Sequence, residues 1–143
     1  MKFWSIVACL VASLVSLSPV HAAMVISGDN GGRIDRYLNK FEQVRASGQQ
    51  VVIDGPCLSA CTLVLSAVPK DRICVTNKAS LGFHAAWEFS DSGGVVRSNG
   101  GTNLLMAHYP TNVRQWIQRK GGLRARMIFL RGNELAAMYH PCP

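Results

Sequence analysis

The chain has 143 residues, 48% hydrophobic and 16% charged, and its 15 lysines and arginines outnumber 8 aspartates and glutamates for a formal net charge of +7. That length suits one small domain, and the hydrophobic share excludes a chain too polar to bury a core. The basic balance comes without an aromatic stacking series or a nucleic-acid motif, so no nucleic-acid partner is expected.

The N-terminus reads as an export signal. Lys2 supplies the positive end, Phe3 to Val15 the apolar stretch, and Val20-His21-Ala22 the small residues before a cut after Ala22 or Ala23. Ser13, Ser16, Ser18 and Pro19 interrupt the apolar run, which is short for a membrane span, so an uncleaved anchor is the weaker alternative. The expected organisation is a signal peptide over 1–23 and one α/β domain over 24–143, in a periplasmic or secreted protein. Without the leader, 14 basic and 8 acidic residues remain, a net charge of +6, with four of the five cysteines: Cys57, Cys61, Cys74 and Cys142. An even number in an exported chain suggests two disulfides, with three pairings open. Cys57-x3-Cys61 is not the Cys-x-x-Cys of redox proteins and no histidine pair accompanies it, so neither a metal nor a cofactor is expected.

In chain order, Met24 to Ser27 reads as a strand, and Gly28 to Gly32 as a turn-rich loop. Ile34, Tyr37, Leu38, Phe41 and Val44 recur at helical spacing over 33–47, with Gly48 as the stop. Gln50 to Asp54 is a buried strand, and Leu58 to Val68 a helix apolar on all sides, headed by Ser59 and ended by Pro69. Arg72 to Thr76 and Ser80 to Ala85 are two further strands about an Asn77-Lys78 turn, which completes the alternation of a parallel sheet with crossover helices. Glu88 to Gly101 reads as a loop or hairpin excursion, and Asn112 to Lys120 as an amphipathic helix with Val113, Trp116 and Ile117 inside. Leu123 to Leu130 is read as a second helical segment, and Glu134 to Tyr139 as a last turn. A helix begun at Ser59 and the end of the Cys74 strand favour Cys61 with Cys74, leaving Cys57 for Cys142.

Ligands collect at the carboxyl ends of parallel strands, where Gly31-Gly32, Ser59 and His84 all fall. Ser59 and His84 stand 25 positions apart with one helix and one strand between them. A serine hydroxyl needs an imidazole within hydrogen-bond reach to become a nucleophile. The amide of Ala60 and those of Gly31 or Gly32 are the expected oxyanion donors. The plain readings of the same residues are a helix-capping serine, a core histidine and a glycine turn.

Ser-Gly-Asp-Asn-Gly31-Gly32, Cys-Leu-Ser59-Ala60-Cys and Gly-Phe-His84 in this order resemble the Clp-type protease and crotonase superfamily, within it the small exported Clp-protease-like proteins of bacteria. The similarity runs from about Val25 to Ala86. It implies a peptide or acyl substrate, Ser59 as nucleophile, His84 as base, and assembly into homo-oligomers. The family's aspartate, laid on Phe129-Leu-Arg-Gly-Asn-Glu134, falls at Met127; Glu88, Asp91 or Asn133 stands in its place, or the site works as a dyad. Family members also carry another strand and helix ahead of the glycine pair, so the fold is expected to be short by one unit. The function expected is an exported, peptidase-like serine hydrolase, and the alternative a non-catalytic periplasmic binding or assembly protein of the same fold. Arg114, Arg119, Lys120, Arg124, Arg126 and Arg131 are read as a solvated helical face, or else as a weak contact with an anionic membrane surface.

Overall fold

The computed structural model describes residues 22–143, so the expected leader up to residue 21 lies outside the described residues. The domain is mixed α/β. Strands β1 (Met24–Ile26) and β2 (Val51–Ile53) pair in parallel, with helix α1 (Ile34–Ser47) as the crossover. Phe41 and Val44 form the buried stripe of α1, and Gly48 ends it in the left-handed conformation that a side chain resists.

After β2 the chain bends at Gly55, whose Cα lies so close to the Ser27 carbonyl that no side chain fits between them. The next strand, β3 (Pro56–Leu58), therefore leaves the first sheet. A five-residue 3₁₀ turn (Ser59–Leu63) and a four-residue helix, α2 (Val64–Ala67), follow in place of the single long helix expected. β4 (Ile73–Val75) completes a parallel sheet in the order β1-β2-β4, and β5 (Ser80–Phe83) pairs in parallel with β3. Strands β6 (Trp87–Phe89) and β7 (Val95–Arg97) form a separate antiparallel hairpin, followed by helices α3 (Asn99–His108) and α4 (Thr111–Arg119). Val113, Trp116 and Ile117 are the buried face of α4, as their spacing indicates.

The segment read as a second helix is instead β8 (Ile128–Arg131), antiparallel to β5, before the short helix α5 (Gly132–Ala136). Gly121 and Gly122 both take left-handed backbone, which prevents α4 from continuing. Ile128-Phe129-Leu130 then satisfies the open edge of β5, so tertiary pairing overrides local pattern. The expected single parallel sheet is thus two three-stranded sheets, β1-β2-β4 and β3-β5-β8, the second of them mixed. Helix α3 starts inside the expected 88–101 loop and runs on through residues to which no element was assigned: the Ser98 hydroxyl accepts the Gly101 N–H and caps it, offsetting two glycines in its first turn.

The disulfides are Cys57–Cys61 and Cys74–Cys142, not the expected Cys61–Cys74 and Cys57–Cys142. Cys61 is fully buried beneath the 3₁₀ turn, which brings its Cα to 5.3 Å from that of Cys57. Cys74 points outward between the buried Ile73 and Val75. There the C-terminal tail runs beside it, with the Val75 N–H donating to the His140 carbonyl at 3.0 Å and the Cys142 N–H to the Val75 carbonyl at 3.0 Å. Such bonds form and persist in oxidising compartments.

Candidate active site

Ser59 has a φ of 56°, and no other non-glycine residue among the described ones has a positive φ. For a residue with a side chain this conformation costs about 1–2 kcal/mol, so its surroundings must hold it. The Cys57–Cys61 disulfide joins the residues two before and two after it. Below the turn, the Thr62 hydroxyl donates to the Ser59 carbonyl at 2.6 Å and lies 2.6 Å from the Tyr109 hydroxyl. Thr62 has one hydroxyl proton and gives it to Ser59, so Tyr109 donates to Thr62. Burial pushes the Tyr109 phenol up to about 12, so it keeps its proton and remains a donor. The Tyr109 ring also meets Phe83 edge-on at 5.3 Å, which ties the Ser59 turn to the strand that carries His84.

Gly31 lies against this turn. A Cβ on Gly31 would sit 2.7 Å from the Ser59 Cβ and 2.8 Å from the Ala60 nitrogen, and its φ of 78° is itself left-handed. The loop is fixed to β3 by the Asp29 N–H donating to the Pro56 carbonyl at 2.9 Å and the Leu58 N–H donating to the Asp29 carbonyl at 2.8 Å. The Asp29 carboxylate accepts the Gly31 N–H at 2.9 Å, the Tyr37 hydroxyl and the Lys40 ammonium at 3.2 Å. Burial alone would raise its pKa, but the Tyr37, Gly31 and Lys40 contacts outweigh it and hold the carboxyl below its ordinary value. The Gly31 amide is thereby engaged. Among the described residues the N–H groups of Gly32 and Ala60 make no hydrogen bond, Ala60 because the first amides of a helical turn have no partner within it.

Parallel register sets Leu58 opposite Gly82, so Ser59 and His84 leave adjacent strands at the same end. Adjacent strands are about 4.8 Å apart. β5 also packs against the turn that begins at Ser59. The His84 Nδ1 is 2.7 Å from the Ala85 carbonyl oxygen. A carbonyl only accepts, so Nδ1 carries the proton and Nε2 is left with the lone pair that a base uses. Neither Ser59 Oγ nor His84 Nε2 makes a hydrogen bond among the described residues, so the two side chains are not joined. The chain beyond His84 is pinned by the Ala85 N–H donating to the Arg124 carbonyl at 2.8 Å and the Ala86 N–H donating to the Thr102 hydroxyl at 3.1 Å.

No carboxylate among the described residues bonds to His84. Glu88 and Asp91 are exposed on the β6–β7 hairpin and Asn133 is exposed in α5. The β5–β8 register pairs Phe83 with Ile128, so the next step sets Met127 beside His84, with its sulfur against Gly82. His108 and His140 are exposed, and Trp116 is core while Trp87 is exposed beside His84. Sequence reasoning missed Asp29, Thr62 and Tyr109. Asp29 carries a signal, standing two residues before Gly31 as a side chain that bonds its own loop does; Tyr109 reaches Thr62 across 47 positions and carries none. Compared with known proteins, the chain matches no family model and no curated protein.

Proposed function

We propose that the protein is an exported, peptidase-like serine hydrolase of Clp-protease-like architecture. The observation that carries the reading is Ser59 held left-handed at the head of a turn, with Gly31 packed on it and His84 leaving the next parallel strand. Ser59 Oγ attacks a peptide or acyl carbonyl as its proton passes to His84 Nε2. The amides of Ala60 and Gly32, both free of other partners, receive the oxyanion, while Gly31 supplies the close approach. His84 then returns the proton to the leaving group, and water repeats the sequence to free the enzyme. The chemistry needs no metal or organic cofactor. The Ala85 carbonyl fixes the imidazole tautomer but cannot neutralise an imidazolium as a carboxylate does, so turnover is slow: losing the acid of a triad costs about 10⁴-fold. The leader pattern and the two disulfides support a periplasmic setting. Assembly into homo-oligomers rests on the resemblance.

A fluorophosphonate tests the proposal: the Oγ–P bond forms as the P–F bond breaks, fluoride leaves, and the serine proton passes to His84. The oxidised, leader-less protein gains one adduct by intact mass, mapped to Ser59, and Ser59→Ala gains none. The second reading, a non-catalytic binding or assembly protein, is favoured by the absence of a carboxylate at His84 and becomes the better one if folded, disulfide-intact protein stays unlabelled.

A further inference from the structure

His84 opens into a cleft of about 220 Å³ whose other walls include Ala86, Trp87, Val95, Arg97 and Ala125. The hairpin that forms one side is apolar and unusually bare, with Trp87 54%, Phe89 70% and Val95 65% exposed. Side chains alternate along a strand, so Trp87, Phe89 and their cross-strand partners Arg97 and Val95 share one face, with Glu88 and Val96 on the other. The Trp87 and Phe89 rings meet edge-on at 5.5 Å on that face. Arg97 lines the cleft, while the guanidinium of Arg124, next to Ala125 in sequence, donates instead to the Gly121 carbonyl at 3.1 Å. Among the described residues Arg97 is in no ion pair, whereas Arg33, Lys40, Arg45, Lys78 and Lys120 each have a carboxylate. The wider cleft of about 330 Å³, between residues 75–77 on one side and Asn133, Leu135 and Pro141 on the other, has no charged side chain in its lining.

An apolar wall asks for an apolar group, and the unpaired Arg97 in its lining asks for an anion beside that group. We propose that this cleft is the substrate-selecting subsite, and that its occupant is a peptide segment in which an apolar residue adjoins a carboxylate. The inference rests on the hydrolase reading for its role in turnover, but the binding it describes does not. Arg97 selects the carboxylate, and Trp87 with Val95 receives the apolar side chain next to the base.

Two measurements test it. First, two peptidyl fluorophosphonates identical but for Leu-Asp or Leu-Lys are compared by inactivation rate. The wild type prefers the acidic one by about tenfold, the scale of one good charge contact, and Arg97→Glu reverses the ratio. Secondly, an unreactive Leu-Asp peptide is titrated into Ser59→Ala protein while the heat of binding is measured. Saturable binding, weakened by salt and by Arg97→Glu and lost in Trp87→Ala, supports the subsite even if Ser59 is inert towards every probe. Equal rates for the two probes, or a small alkyl fluorophosphonate that labels Ser59 while the acidic peptide does not bind, overturns the subsite and leaves the hydrolase standing. A self-association that buries the hairpin face, dispersed by Trp87→Ala and insensitive to the peptide, makes a second copy the occupant and overturns it as well.

Discussion

Gly31→Ala isolates the contact on which the site depends. The added methyl would lie 2.5 Å from the Leu58 carbonyl oxygen, 2.7 Å from the Ser59 Cβ and 2.8 Å from the Ala60 nitrogen, and two of these three are backbone atoms that cannot swing aside. The left-handed φ of 78° costs alanine about 1–2 kcal/mol by itself. Forcing one methyl into a filled space costs about 1–3 kcal/mol more. The sum, about 2–5 kcal/mol, is a large share of the about 5–15 kcal/mol that holds a domain folded. At roughly 4 °C per kcal/mol for a domain of this size, the melting temperature falls by about 8–20 °C. Gly93→Ala is the matched control, because its φ of 82° is as left-handed but nothing lies within 4 Å of the added methyl. It carries only the backbone cost, about 1–2 kcal/mol. Urea unfolding of the two variants therefore separates packing from strain. Any Gly31→Ala protein that folds must move Ser59 and Ala60, and a displacement near 1 Å is worth about 100-fold in rate. Equal stabilities for the two variants, with labelling of Gly31→Ala at the wild-type rate, would refute the claim that Gly31 shapes the Ser59 turn.

Thr62→Val removes the donor to the Ser59 carbonyl and strands the Tyr109 hydroxyl, costing about 2 kcal/mol, whereas Tyr109→Phe leaves the Thr62–Ser59 bond intact and costs about 1 kcal/mol; chemical unfolding ranks the two. Replacing Cys74 and Cys142 by alanine opens a sequence separation of 68 and costs about 4 kcal/mol on loop entropy, against about 2 kcal/mol for Cys57 and Cys61 at a separation of 4. Fluorophosphonate labelling reverses that order, because only the shorter bridge spans Ser59. Asp29 is held below its ordinary pKa of 3.8 in the folded state, so its contribution is complete above that value and disappears as the pH falls through the depressed folded one. Asp29→Asn protein is accordingly less stable than wild type at neutral pH, and the gap narrows below about pH 4, which thermal melts at several pH values measure.

What was legible in the chain follows the range of the interactions. Strands β1, β2, β4 and β5, helix α1 with its Gly48 stop, and the inner face of α4 are written in local periodicity and turn chemistry. β8 is not, because Met127 to Leu130 is a short continuous apolar run that periodicity cannot assign and that becomes a strand only through the open edge of β5. Helix α3 is hidden by the glycines of its first turn, which the Ser98 cap offsets. At the site, Gly31, Ser59 and His84 are visible because all three fall where the expected parallel strands end, the edge at which ligands collect. The sequence could not say that Gly31 N–H belongs to Asp29, nor that Cys57 would close on Cys61, since both depend on how sharply the chain turns at Ser59. The same bend decides the disulfides: taking Ser59 as the start of a long helix sends Cys61 toward β4, and a tight turn keeps it beneath β3.

The most direct test of the account is the rate at which a small alkyl fluorophosphonate reacts with wild type, His84→Ala and Ser59→Ala proteins, all folded and with both disulfides intact. Ser59 and His84 leave neighbouring strands at one end, with Nδ1 protonated against the Ala85 carbonyl and Nε2 open. Labelling of the wild type at one site, slowed at least about 100-fold in His84→Ala and absent in Ser59→Ala, is the predicted result, that factor being the low end for a positioned base. Labelling that proceeds equally well without the histidine, or no labelling of the wild type at all, contradicts it.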